Sequence, residues 1–278
     1  MFKNVMIAVD GSSYTDSVIG HAVELVKAFS SQLLVITVVD VRIFEWASAV
    51  GADGFVSIVP SGAYQDESRS ILEEKCDKIL KKCGLLLQQQ QVRFKMEKLI
   101  GSPVELILEK AQVADLVVVG KRGEFERWDN TELGVTVQSV CRSIAKPLLI
   151  VKKELRPIKK ILLGYDGSIH ANKALQVAAA LAEGLQAQLT VLCVADEEEM
   201  GKHTCQEAQE YLGGYNVEAT TSILPGQPDR VLVTFAEQNG MDVIAIGGFG
   251  HSRIREAILG STTEHILRIS TCPVLLVK

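Results

Sequence analysis

The stretch KKILLGYDGS, Lys159 to Ser168, repeats KNVMIAVDGS, Lys3 to Ser12, in residue type and order. Working outward, LLVITVVD (Leu33 to Asp40) pairs with LTVLCVAD (Leu189 to Asp196). GSPVELILEKAQVADLVVVG (Gly101 to Gly120) pairs with GQPDRVLVTFAEQNGMDVIAIG (Gly226 to Gly247), and GVTVQSVCRSIAKPLLIVK (Gly134 to Lys152) with GSTTEHILRISTCPVLLVK (Gly260 to Lys278). An internal repeat of this length means that one structural unit is built twice. The expected units are 1–152 and 159–278, joined by a charged linker at 153–158 that contains Pro157.

Within each copy, short Val/Ile/Leu runs alternate with amphipathic stretches such as HANKALQVAAALAEGL (His170 to Leu185). Continuous apolar runs of strand length belong to strands buried on both faces. The order β-α-β-α-β-α-β-α-β gives an α/β fold: two tandem open, mostly parallel five-stranded sheets with helices on both faces. Such sheets bind ligands beyond the carboxyl ends of their strands, where the strand order reverses. Asn239-Gly240 marks a helix end in the second copy.

The chain has 278 residues, 47% of them hydrophobic, with a net charge of −5. That balance fits a soluble globular protein and lacks the clustered cations that nucleic acid requires. No apolar run approaches the roughly 20 residues of a membrane span, and no signal peptide is readable. Cys76, Cys83, Cys141, Cys193, Cys205 and Cys272 form no CxxC or Cys/His cluster. Buried free thiols in a reducing compartment, the cytoplasm, are expected. Cys76 and Cys83 lie seven apart, on one helix face.

The chemistry concentrates in GGFGHSRIREAILGSTT, Gly247 to Thr263. Gly247 ends an apolar run, Gly250 permits close backbone approach, and Gly260-Ser261-Thr262-Thr263 opens the last helix. A helix start offers unpaired N–H groups and partial positive charge to an anion. Ser261 and Thr263 add hydroxyls, and Arg253 and Arg255 add charge nearby. Asp166, after the first strand of this copy, can accept a hydrogen bond from a base amine; Asp-Gly-Ser is equally an ordinary turn with Ser168 as helix cap. His251 is either a phosphate contact or an exposed loop residue. No Walker-type GxxxxGK[ST], GxGxxG or GxSxG elbow is present, and no general base for hydrolysis is readable.

The spacing Gly247-x2-Gly250-x9-Gly260-Ser261, together with Tyr165-Asp166-Gly167-Ser168, resembles the universal stress protein family, and the likeness runs through both copies. The resemblance implies a tandem protein of adenine nucleotide alpha hydrolase-like fold that binds ATP, with Mg²⁺ an optional companion of the phosphates. It implies that Asp166 and the Val194 backbone meet adenine, that Gly247 and Gly250 face ribose and phosphates, and that Gly260, Ser261 and Thr263 hold phosphates. It further implies a stress-response regulator with, at most, weak ATP hydrolysis. Relatives dimerise through the last strand, so a pseudo-dimer within the chain is expected, with homodimerisation and unidentified protein partners left open.

The first copy departs from the pattern. Ten residues, rather than nine, separate Gly123 from Gly134, and Val135 and Val137 stand where Ser261 and Thr263 are hydroxylic. Glu124, Glu126, Asp129 and Glu132 repel phosphate, with Lys121 and Arg122 as partial compensation. This site is expected to have lost ATP, leaving Asp10 and Val38 as inherited scaffold. An insertion at 41–65 carries Phe44, Trp46, Phe55 and Tyr64. It reads as a loop packing its own aromatics, or as a lid or interaction module. Two other functions compete with nucleotide-dependent regulation: a slow ATPase, and an apolar-ligand or protein-interaction module centred on the insertion.

Overall fold

The computed structural model describes residues 2–40, 62–124, 132–248 and 259–278. In the first half the strands are β1 (Asn4–Ala8), β2 (Gln32–Asp40), β3 (Phe94–Gly101), β4 (Leu116–Gly120) and β5 (Leu148–Val151). Its helices are α1 (Thr15–Phe29), α2 (Gly62–Gln89), α3 (Pro103–Ala111) and α4 (Val135–Ser143). The second half contributes β6 (Lys160–Gly164), β7 (Gln188–Val194), β8 (Ala219–Leu224), β9 (Val243–Gly247) and β10 (Val274–Val277). Its helices are α5 (Ile169–Leu185), α6 (Glu198–Leu212), α7 (Pro228–Gln238) and α8 (Ser261–Ile269).

The two five-stranded sets expected from the repeat are joined into one ten-stranded sheet, ordered β3-β2-β1-β4-β5-β10-β9-β6-β7-β8. Neighbours within each half are parallel, and β5 meets β10 antiparallel, with Leu149 opposite Leu275. An open strand edge is a row of unpaired backbone donors and acceptors, and pairing the two copies' last strands removes two such edges. Both β5 and β10 are buried along their whole length, which accounts for LLIV and VLLV having no polar face.

The sheet separates two apolar layers. One gathers α1, α2, α5 and α6, and the other α3, α4, α7 and α8. Fully buried Leu25, Leu33, Leu116 and Leu149 sit in the first layer, and Met6, Ile36 and Leu148 in the second. The linker crosses α1, where the backbone N–H of Ile158 donates to Glu24 Oε1 at 3.0 Å.

Strand order reverses between β1 and β4, and again between β6 and β9. A crevice opens at each of these points, beyond the carboxyl ends of the strands.

Candidate functional site

The turn after the first strand of each half has the same construction. Asp166 Oδ1 accepts the Ser168 N–H at 3.0 Å, and Asp10 Oδ1 accepts that of Ser12 at 3.0 Å. Between them Gly167 and Gly11 sit at φ +74° and +77°, a conformation that strains any residue with a Cβ. Ser168 then caps α5, its Oγ accepting from the Ala171 N–H at 3.2 Å. The turn reading of Asp-Gly-Ser is therefore realised, and Asp166 still lines the crevice.

The second-half crevice encloses about 310 Å³. The structure brings Asp166, Val194, Gly247, Gly260, Ser261 and Thr263 together on its lining, and Leu192, Pro228, Leu232 and Ile246 supply an apolar wall. Gly260 precedes α8, and among the described residues no side chain caps that helix start. The first backbone N–H groups of α8 have no acceptor within the helix and face an approaching anion with the positive end of its dipole. Ser261 is exposed at this tip. Gly250, His251, Arg253 and Arg255 lie outside the described residues, as does most of the aromatic insertion.

Thr263 and Gly247 have structural work besides any ligand. Thr263 is buried, and its hydroxyl donates to the Gly247 carbonyl at 3.0 Å, tying the start of α8 to the end of β9. A Cβ on Gly247 would lie 2.8 Å from the His170 carbonyl carbon and 3.0 Å from the Ala171 nitrogen, both backbone. The strand end thus passes directly against the first turn of α5, and only glycine allows it.

In the first half, Asp10 also takes up the loop backbone: its Oδ2 accepts the Glu124 N–H at 2.8 Å. Glu124 is in turn ion-paired to Lys75 of α2. Val137 is buried at the place of Thr263, and Val135 is exposed at that of Ser261. The compensation expected from Lys121 is not available. Its ammonium is buried and reaches out of the first half to the C-terminal end of α8, donating to the carbonyls of Arg268 and Ser270. Lys152 donates to the same Ser270 carbonyl at 3.0 Å. Burial and the neighbouring Lys152 charge pull the Lys121 pKa down to about 8. No pattern in the sequence signals this contact, because it joins residues 147 positions apart. On the opposite side of the seam Lys278 donates to the Arg142 carbonyl at 2.6 Å.

All six cysteines are free and buried, including Cys76 and Cys83. Cys205 of α6 lies 2.9 Å from Cys193 of β7, a pairing that strand and helix spacing alone did not reveal. Burial, with Cys205 alongside, holds the Cys193 thiol far above its usual range. Among the described residues no group of His, Cys, Asp and Glu is arranged to hold a metal ion. No helix among them is long and apolar enough to cross a membrane.

A mostly parallel α/β sheet with a glycine-rich crevice at each reversal of strand order defines a ligand-binding class of fold. The sequence profile of the universal stress protein family matches residues 1–152, 157–204 and 196–278, and the chain belongs to that family. A universal stress protein from Synechocystis is 25% identical over 283 residues, covering 98% of this chain and 99% of its own. YxiE, a Bacillus subtilis universal stress protein, is 29% identical over 145 residues, covering 43% of this chain and 98% of its own. The crystal structure of a universal stress protein from Archaeoglobus fulgidus superposes with a TM-score of 0.78 at 20% identity, covering 99% of this chain and 98% of that one.

Proposed function

We propose that this universal stress protein is a nucleotide-responsive regulator of two repeated units, 1–152 and 159–278, in which the second unit binds ATP or a related adenine nucleotide. The observation that carries the reading is the convergence of Asp166, Val194, Gly247 and the open tip of α8 on one crevice with an apolar wall. Asp166 and the backbone of Val194 would meet the base. The N–H groups at Ser261 to Thr263 and the Ser261 hydroxyl would meet the phosphates, a donor set suited to an anion. The Thr263 hydroxyl instead positions the tip through Gly247. Gly250 belongs to the same proposed site on the resemblance alone.

ATP supplies the charged group that α8 recognises, and Mg²⁺ would enter on the phosphates, held by few protein groups. Binding itself is the proposed output, biasing shape or the choice of protein partner. Six buried free cysteines suit a reducing cytoplasm.

Calorimetric titration with ATP, run beside mass spectrometry of ligand released from the purified protein, tests the reading. The wild-type chain is expected to bind one ATP, and Ser261→Val/Thr263→Val, which copies the first half, to lose it. Equal binding by both proteins would refute the role of the α8 tip.

A further inference from the structure

The first half has kept the crevice and changed its chemistry. Its pocket encloses about 400 Å³, larger than its counterpart and of a size that small organic ligands occupy. Ile36, Val38, Ile107, Val119, Val137 and Val140 make its walls. Two replacements, Val135 for Ser261 and Val137 for Thr263, remove hydroxyls from the end where a phosphate would lie. The lining charges point the same way. Among the described lining residues, three carboxylates, Asp10, Asp40 and Glu124, stand beside one cation, Arg122. Lys121, next to Arg122, is committed to the far end of α8.

An anion entering here meets the Asp10 carboxylate across apolar walls, where charges interact more strongly than in water. A neutral or singly basic molecule meets no such penalty. Asp10, fixed by the N–H groups of Ser12 and Glu124, is held where a ligand N–H can reach it. We infer that the first-half pocket is a second ligand site, selective for small, mostly apolar ring compounds that carry an N–H or amine and no acidic group. This site goes beyond the nucleotide reading of the second half and does not depend on it.

One ring at three charges tests the inference. The full chain is titrated with 3-methylindole, tryptamine and indole-3-propionate, and binding is read from ligand-observed NMR. The neutral and amine compounds are expected to bind at least about tenfold more tightly than the acid. Val38→Trp, which fills the pocket, should abolish that binding, whereas Val194→Trp, the equivalent change in the second half, should leave it intact. Asp10→Asn removes the charge, together with one of the two backbone hydrogen bonds that the carboxylate accepts, and should bring tryptamine down to the affinity of 3-methylindole. This second variant decides the matter if the bulky one fails to fold. Equal or tighter binding of indole-3-propionate, binding indifferent to Val38→Trp and Asp10→Asn, or no saturable binding of the two non-acidic compounds would each overturn the assignment.

Discussion

Single residues at the two crevices carry loads that their chemistry alone does not announce. Thr263 is buried with its hydroxyl on the Gly247 carbonyl, so Thr263→Val leaves that carbonyl without its donor. A loss of about 1 kcal/mol in urea-unfolding stability is expected, the usual net worth of one such bond. Ser261→Ala, exposed at the helix tip, should lower ATP affinity while leaving stability unchanged. Lys121 gives a pH signature. Burial sets its folded pKa at about 8, against 10.5 for the free side chain. Between those values the unfolded chain binds the proton that the folded chain has released, so stability on this residue's account rises with pH. Urea titrations at pH 7.5 and 10 should show wild type gaining about 2 kcal/mol relative to Lys121→Met. A difference that stays constant across that range would rule out a strained ammonium.

At the level of elements, α8 is loaded at both ends. Its N-terminus closes the second crevice, and its C-terminal carbonyls hold the ammonium groups of Lys121 and Lys152, where a helix dipole favours cations. On its flank Gln138 of α4 donates to Glu264 at 3.0 Å, so the two crevice helices touch across the seam. The close pass of β9 against α5 also belongs to this scale. Gly247→Ala should cost about 1–3 kcal/mol through backbone overpacking, measurable in a thermal melt before any ligand is added. Strands, helices and the alternation of the two were legible because buried parallel strands leave unbroken Val/Ile/Leu runs. Asp166, Val194, Gly260 and Ser261 were legible as a set because each follows a strand or opens a helix at a fixed place in the repeat. The Thr263 and Lys121 bonds were not, since each depends on where two distant elements come to rest. Gly250 lies outside the described residues.

For the molecule as a whole, the antiparallel pairing of β5 with β10 decides how it meets other copies. The last strand of each half is already paired inside the chain. The remaining edges are β3 and β8, and β3 places Lys95, Glu97 and Lys98 along its length, charges that discourage strand addition. Sedimentation equilibrium should therefore return the mass of one chain, with and without ATP. A stable dimer would show that another surface, away from the seam, serves association.

That seam also has an evolutionary meaning. When two identical chains assemble, every mutation appears in both pockets at once, so neither can change its diet without the other. Tethering the partners on one polypeptide keeps them together at high effective concentration and frees each copy to mutate alone. The β5–β10 seam thus leaves the two crevices free to differ, as Val135 and Val137 already differ from Ser261 and Thr263.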